Sequence, residues 1–285
     1  MALLHGHGFL PMTSTTAKIP SNAGTRTVLY NKNQTLKATN EGLSRRVKNL
    51  EQEVTVLFAI TAGLATAAIL AQNGIEPILQ FTTRDRNRIA IQGDLLGGWA
   101  LDIPNILCLY GDEVKGGDQP DTKEVRDLDT IGLLKTANEI KLNKMYPSGR
   151  KIEDAPEFFI GGADTPFKIN NDFNGENLVK KINAGVQFFQ TQYVFDEDIL
   201  KNYMNKLNEL QITEKAYFII GLGVIKSAKS ARWMNKNLFG INIPENIIDR
   251  IEQSNDESLE GIKICIELII SYDSLHRKQI VFFSN

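Results

Sequence analysis

From residue 54 onward, short apolar runs alternate with longer stretches of helical pattern, and this alternation constrains the fold more than any other feature. The apolar runs are five to seven residues long. They are continuously apolar rather than alternating, which is typical of strands covered on both faces. A strand followed repeatedly by a helix is the βα unit of a parallel sheet. The predicted strands are 54–60, 77–81, 105–110, 157–161, 186–192 and 216–221.

Two weaker runs, 27–30 and 279–283, raise the number of candidate strands to eight. Eight βα units are the number that closes a (β/α)₈ TIM barrel, which needs about 250 residues. A doubly wound open sheet is the alternative, but no G-x-G-x-x-G motif stands between a strand and a helix. We therefore predict an α/β barrel domain over residues 54–285, preceded by an N-terminal extension over residues 1–53 that is partly disordered or helical.

Two segments resemble targeting or membrane sequences. Residues 1–40 contain no Asp or Glu and nine Ser or Thr, which suits a transit peptide, although a disordered extension explains them better. Residues 54–71 carry no charge and reach the lower limit of a membrane span. Their β-branched first part and Ala-rich second part favour a buried strand and a helix. We expect a cytoplasmic protein, with organellar targeting as the minor alternative.

Composition excludes several classes of function. Lys and Arg number 32 against 34 Asp and Glu, so the chain lacks the basic excess of nucleic-acid-binding proteins. Its two cysteines cannot form a disulfide scaffold. The three histidines are His5, His7 and His276, so the interior of the chain has none for a catalytic triad, a zinc site or a general base. Chemistry in the core must use carboxylates, amides, Lys, Tyr or a cofactor.

In a barrel, functional groups lie at the carboxyl ends of the strands and in the loops that follow. This rule selects residues 82–88, 111–127, 162–166, 190–192 and 222–224. Each has a structural explanation too, such as a turn or a helix cap. Three arginines in residues 84–88 would oppose the dipole of a helix N-terminus, so stability alone does not favour them there. Gln190 and Gln192 are predicted to face the same side of their strand, where burying two amides is costly unless they bind something.

Four motifs at these positions resemble the methylenetetrahydrofolate reductase family over about residues 54–270. They occur in the family's order, which makes the resemblance specific. The motifs are LATAAILAQNGIEPILQFTTRDRNRIAIQGDLLGG (64–98), NILCLYGD (105–112) with GDQP (117–120), FFIGGA (158–163) and AGVQFFQTQ (184–192).

The resemblance implies a TIM barrel that binds FAD, in agreement with the strand count. It also implies reduction of 5,10-methylenetetrahydrofolate to 5-methyltetrahydrofolate, with NAD(P)H as the hydride donor, in the one-carbon metabolism that feeds methionine synthesis. The flavin carries the redox chemistry in that family, so the lack of interior histidine is no obstacle. The expected partner is a folate substrate, with no nucleic acid, membrane or metal; whether the chain also forms a homo-oligomer is left open by the sequence.

The resemblance also assigns roles to individual residues. Asp112 is similar to the family's catalytic aspartate, which lies near the flavin and the folate, tunes the flavin and recognises the pterin. Gln192 is similar to the amide that binds the pterin ring. Lys181 matches a basic position at the FAD pyrophosphate, and Thr61 a threonine near the isoalloxazine. Four further positions match residues that line the FAD: Gln80, where family members often have a histidine, and Tyr110, Gly111 and Ala163.

Both ends of the chain depart from the family pattern. The family's first strand carries Phe-Glu-x-x-Pro-Pro, whose Glu is the general acid toward folate N10, and residues 1–53 contain no such motif. Residues 272–285 also differ from the family. We therefore expect an irregular or incomplete closing seam in the barrel. The alternative to an active reductase is a catalytically impaired flavin- or folate-binding protein that lacks the acid.

Overall fold

The computed structural model describes residues 64–117, 119–170, 172–273 and 280–283. All of these residues belong to one compact unit, Gln52–Asn285. The predicted strands 27–30 and 54–60, the domain boundary at residue 53 and Thr61 lie outside the described residues. The remaining six predicted strands fall within or overlap them. So do the eight stretches for which the sequence pattern predicts helices: 62–73, 85–101, 128–143, 175–184, 196–210, 226–238, 243–253 and 257–270.

The elements alternate as the sequence pattern predicts, and a short 3₁₀ turn at Val114–Gly116 is added after the second strand. The strands are β1 (Ile78–Thr82), β2 (Asn105–Leu109), β3 (Phe159–Asp164), β4 (Phe188–Tyr193), β5 (Tyr217–Gly221) and β6 (Ile280–Phe283). The helices are α1 (Leu64–Gln72), α2 (Arg88–Ala100), α3 (Thr130–Asn143), α4 (Glu176–Asn183), α5 (Glu197–Glu209), α6 (Ala228–Asn237), α7 (Glu245–Glu252) and α8 (Glu257–Asp273).

The six strands form one sheet in which each strand lies beside its neighbour in sequence. All five pairings are parallel. This sequential order confirms the barrel architecture, because a doubly wound sheet reverses its strand order at a switch point. Among the described residues β6 and β1 do not pair, so the part of the sheet described here is open at that seam.

Short polar side chains determine where four of the helices begin. Asn87, Asp129, Asp196 and Ser227 each accept a hydrogen bond from a backbone N–H in the first turn of α2, α3, α5 and α6. The cap at Asn87 corrects one predicted boundary, because α2 begins at Arg88 rather than at residue 85. Only the last of the three arginines in residues 84–88 is therefore helical, and the conflict with the helix dipole largely disappears.

The main core lies between the sheet and the helices. Phe81, Ile106, Ile160, Phe189 and Phe218 are almost fully buried in it. Successive side chains of a strand point to opposite faces, so these residues define the helix-facing side of the sheet, and their neighbours define the inner face. Judged by length and hydropathy, none of the described helices could span a lipid bilayer.

Candidate functional site

The candidate site is the edge of the sheet at which the parallel strands end, together with the inner face below it. Six of the predicted residues belong to β1, β2, β3 or β4 or to the residues that directly follow them: Gln80, Tyr110, Gly111, Asp112, Ala163 and Gln192. Lys181 lies on α4. Because the carboxyl ends of parallel strands share one edge, the fold gathers these residues from distant parts of the sequence.

The turn after β2 requires glycine at position 111. Gly111 has a φ of +83°, and a Cβ atom there would lie 3.0 Å from Cβ of Arg84 and 3.2 Å from Cβ of Thr82. Both the backbone conformation and the close approach of side chains at and just after the end of β1 therefore favour glycine here. The turn places Tyr110 and Asp112 on the exposed side of the strand edge.

Arg126 fixes this turn from the far end of the following loop. Its guanidinium donates to the carbonyl oxygens of Tyr110 at 2.9 Å, Gly111 at 3.3 Å and Asp112 at 3.2 Å. The same group lies over the Tyr110 ring, 3.8 Å from its centroid, and its Nε contacts Glu124. One planar fork thus holds three consecutive carbonyl groups, which a lysine cannot do.

The β1 side of the turn is tied to it as well. The hydroxyl of Thr83, which is fully buried, donates to the Tyr110 carbonyl at 3.0 Å. Nη1 of Arg84 donates to the Asp112 carbonyl at 3.1 Å. The strand ends of β1 and β2 are therefore held together by side chains as well as by the sheet, which gives the Asp112 backbone a fixed position.

Arg86 and Arg88, the other two arginines of this region, form ion pairs at the surface. Arg86 pairs with Asp94. Arg88 forms a bidentate ion pair with Asp127, in which Nε and Nη2 donate to the two carboxylate oxygens at 2.8 and 2.7 Å. The Arg88 contact holds the pKa of the Asp127 carboxyl well below its usual range. These contacts account for both residues structurally, without a ligand.

At the end of β3, a carboxylate and a lysine lie close together on the helix-facing side. The Tyr203 hydroxyl donates to the Asp164 carboxylate, with distances of 3.0 and 3.1 Å to its two oxygens. Burial raises the pKa of Asp164 to about 6, although Tyr203, the Thr165 N–H and Lys181 act against it. Asp164 follows Ala163 and therefore points away from the inner face.

Lys181 connects this cluster to a predicted cofactor residue. Its ammonium donates to the carbonyl oxygen of Ala163 at 2.6 Å. Burial lowers the pKa of Lys181, and the nearby Asp164 carboxylate partly restores it. The structure thus brings Lys181 and Ala163 into contact, with the charge of the lysine directed at the end of β3.

The inner face of the sheet carries two amides, a glycine and an alanine among its apolar side chains. In one layer Gln80, Leu107, Gly161 and Phe188 are in register across four strands. In the next, Ala163, Gln190 and Ile219 are in register. Gln190 is 8% exposed, and its Oε1 is the buried side-chain polar atom of the described residues that has no hydrogen-bond partner.

Gln192 is engaged within the protein. Its Nε2 donates to the Phe239 carbonyl at 3.1 Å, and its Oε1 accepts from the Tyr193 N–H at 3.0 Å. The register of β4 against β5 shifts between Gln190 and Tyr193, and the Thr191 hydroxyl accepts the Gly221 N–H there. The simple alternation that predicted a common side for Gln190 and Gln192 therefore does not extend through this irregularity.

Sequence reasoning missed Arg126, and no local signal identifies it. It lies 14 to 16 residues beyond the carbonyls that it holds, in a loop whose path the sequence does not determine. The sequence placed Asp164 and Thr83 at strand ends, but it did not reveal Tyr203 as the partner of Asp164. The assigned roles of Asp112, Lys181, Gln192 and the flavin-lining residues stay predictions.

A separate groove of about 760 Å³ runs along α5. None of the residues predicted for the site lines it. Its lining is mostly polar and carries charges of both signs: Lys168, Ile169, Asp196, Asp198, Ile199, Asn202, Asn205, Lys206, Glu209 and Asn242.

Comparison with known protein families gives one match that extends over most of the chain. A family model described as methylenetetrahydrofolate reductase matches residues 49–277. A curated relative, the probable methylenetetrahydrofolate reductase (NADPH) of Caenorhabditis elegans, is 26% identical over 209 residues. That alignment covers 71% of this chain and 29% of the relative, so the chain spans less than a third of that protein's length.

Two solved structures are distantly similar. One is an uncharacterized protein from Clostridium thermocellum that binds two copies of 5-methyl-5,6,7,8-tetrahydrofolic acid; it has a TM-score of 0.38 and 14% identity and covers 78% of this chain and 91% of its own. The other is an oxaloacetate acetylhydrolase with an inhibitor; it has a TM-score of 0.35 and 9% identity and covers 75% of this chain and 77% of its own.

Proposed function

Because the family match extends over residues 49–277, the chain belongs to the methylenetetrahydrofolate reductase family, and we propose that it is an FAD-dependent reductase of one-carbon metabolism. The reaction would convert 5,10-methylenetetrahydrofolate to 5-methyltetrahydrofolate with NAD(P)H, in the cytoplasm, and supply methionine synthesis. Family membership is the observation that carries the proposal. It supports an oxidoreductase that acts on a folate, and the features of the strand edge support the finer statement.

The residues at the strand edge fit a flavin. Gln190 presents a buried amide oxygen without a partner, and the turn at Gly111 brings backbone to the strand edge where a side chain would not fit. Planar heterocycles such as isoalloxazine present hydrogen-bonding edges that amides and backbone groups recognise. Bound FAD would supply the two-electron hydride chemistry that no side chain of this chain can perform.

Each residue predicted for the site would have one binding or positioning role around bound FAD. Asp112 would place a carboxylate near the flavin and the folate from a turn that Arg126 and Arg84 hold still. Lys181 would supply positive charge for the pyrophosphate from the end of β3. Gln192 would bind the pterin ring after exchanging its contact with the Phe239 carbonyl for a contact with the substrate. Gln80, Tyr110, Gly111 and Ala163 would line the cofactor.

Protonation of folate N10 is the step for which the described site residues supply no acid in place of the family's Glu. The family's Phe-Glu-x-x-Pro-Pro motif is missing from residues 1–53. Asp164 has a pKa raised to about 6, but it lies on the helix-facing side and is bound by Tyr203, so it does not replace the missing acid. This observation favours a second candidate function, that of a flavin- or folate-binding protein with impaired catalysis.

An anaerobic experiment with two half-reactions tests the proposal. Purified protein reconstituted with FAD is mixed with NADH or NADPH and then with methylenetetrahydrofolate, while the visible absorbance of the flavin is followed. An active reductase loses the absorbance with the nicotinamide and regains it with the folate. Loss without recovery identifies the impaired protein. A folded protein that takes up no FAD contradicts both candidate functions.

A further inference from the structure

On the inner face of the sheet, the amide oxygen of Gln190 is buried and unpaired. Gln190 is 8% exposed, and its Oε1 has no hydrogen-bond partner. Leaving a buried polar atom unpaired costs about 1–3 kcal/mol relative to an apolar side chain of similar shape. Buried side-chain polar atoms nearly always have a partner, so this one calls for a physical explanation.

The two neighbouring glutamines, Gln187 just before β4 and Gln192 within it, both have hydrogen-bond partners inside the protein. Oε1 of Gln187 accepts from Lys141 Nζ at 2.8 Å and from the Ile160 N–H at 3.3 Å. The Gln192 amide contacts the Phe239 carbonyl and the Tyr193 N–H. Three glutamines thus stand within six residues of one strand region, and the middle one differs from the others in having its oxygen unpaired within the described chain.

The position of Gln190 points its amide at the candidate site rather than at the core. Phe189, the residue before it, packs with Phe218 in the helix-facing layer, so Gln190 belongs to the inner face. Its neighbours in register are Ala163 and Ile219. Ala163 is small and is itself a predicted cofactor residue, and its carbonyl is held by Lys181. The small neighbour leaves the amide without a bulky side chain beside it on β3.

We propose that Gln190 is a ligand-binding residue, whose amide oxygen accepts a hydrogen bond from a ring N–H of the fused pyrimidine ring system that binds at this strand edge. The identity of the ligand rests on the proposed function. Both the isoalloxazine of FAD and the pterin of the folate carry such a ring with an N–H donor, so the two sources share the chemistry that Gln190 recognises. The unpaired oxygen is then satisfied only in the complex.

Replacing Gln190 by leucine separates binding from folding. The wild-type protein, Gln190→Leu and Gln190→Met are titrated with FAD and, separately, with 5-methyltetrahydrofolate, and dissociation constants are measured by fluorescence quenching. We expect about tenfold weaker binding of the ligand that Gln190 contacts, as follows from the loss of one hydrogen bond. The thermal midpoint of each variant without ligand should be equal to or higher than that of the wild type, because no internal hydrogen bond is lost.

Gln187→Leu is the matched control. Its amide is used inside the protein, so this variant should lower the thermal midpoint and leave the affinity of the folded protein for both ligands unchanged. Gln190→Met is a second apolar replacement whose side chain is unbranched, like that of glutamine. An effect that appears in both variants is therefore not due to poor packing of the branched leucine.

The outcomes separate the inference from the proposed function. Weaker binding of FAD alone identifies the flavin as the ligand of Gln190, and weaker binding of the folate alone identifies the pterin. Unchanged affinity for both ligands in both variants overturns the inference and leaves the proposed function intact. A lower thermal midpoint in both variants also overturns it, since the amide would then serve the fold. A wild-type protein that binds neither ligand contradicts the proposed function itself.

Discussion

The two faces of the sheet differ in how far their side chains are packed and hydrogen-bonded within the protein. On the helix-facing side, Ile106, Ile160, Phe189 and Phe218 form a continuous apolar core with almost no exposure. On the inner face, the amides of Gln80 and Gln190 and the small residues Gly161 and Ala163 stand among apolar side chains such as Leu107 and Phe188, and the Gln190 oxygen is unpaired. The helix-facing side is complete without a ligand. The inner face carries an unpaired amide oxygen, and we propose that the ligand binds on that side.

The largest effect is expected on the helix-facing side. Phe189→Ala removes a fully buried ring that stacks on Phe218 at 5.3 Å, so it should lower the free energy of unfolding by about 3–5 kcal/mol. Urea denaturation measures the loss. The protein that remains folded should keep its affinity for FAD, and a selective loss of FAD binding without destabilisation would contradict the division between the two faces.

Two adjacent glycines of β3 compare the faces directly. A Cβ at Gly161, on the inner face, would lie 2.2 Å from the Phe188 ring, whereas one at Gly162 would lie 3.1 Å from a methyl group of Val186. Gly161→Ala should therefore cost about 3 kcal/mol of stability through overpacking, and Gly162→Ala about 1 kcal/mol. Thermal unfolding of the two variants tests whether Gly161→Ala loses more stability than Gly162→Ala. Equal losses would show that the inner face accommodates an added methyl group as easily as the helix-facing side does.

Asp164 should make stability depend on pH. Its pKa is raised from 3.8 to about 6 in the folded protein, so the stability gained from keeping it protonated is present at low pH and is lost as the pH rises through about 6. Asp164→Asn removes this loss. Between about pH 4 and about pH 8, the variant should gain about 2–3 kcal/mol relative to the wild type. Parallel denaturation curves at both pH values test this, and an unchanged difference contradicts the assignment.

A smaller effect than at Asp164 is expected at the turn after β2. Arg126→Lys keeps the charge but loses the fork that holds three carbonyl groups, and we expect about 1–2 kcal/mol lower stability and weaker FAD binding. Arg88→Lys is the matched control, because that arginine pairs with Asp127 on the exposed surface. It should change neither property measurably. Equal changes in stability and FAD affinity in the two variants would contradict the proposal that Arg126 positions the turn.

Much of the fold could be predicted because it depends on local patterns. Continuous apolar runs identified the six strands that the structure describes, and short polar residues such as Asn87 mark where helices begin. Boundaries shifted by a few residues where a cap or a turn decided them. The helix predicted from residue 85 begins at Arg88 for that reason.

The candidate site could be predicted only in part. Strand ends and family motifs pointed to Gly111, Asp112 and Ala163, and the structure places these residues at one edge of the sheet. The grip of Arg126 on the turn and the irregularity at Thr191 depend on contacts between segments distant in sequence. No local sequence pattern predicts such contacts. That the Gln190 oxygen has no hydrogen-bond partner likewise cannot be predicted from the sequence, because it depends on where the neighbouring donor groups lie in the structure.

The most direct test of the central claim, that the strand edge and inner face form a flavin site, is an FAD titration of the purified protein followed by flavin fluorescence and thermal unfolding. The account predicts saturable binding of one FAD per chain and a thermal midpoint that rises with FAD concentration. A protein that unfolds cooperatively, quenches no flavin fluorescence and shows no rise in its midpoint at any FAD concentration would contradict it.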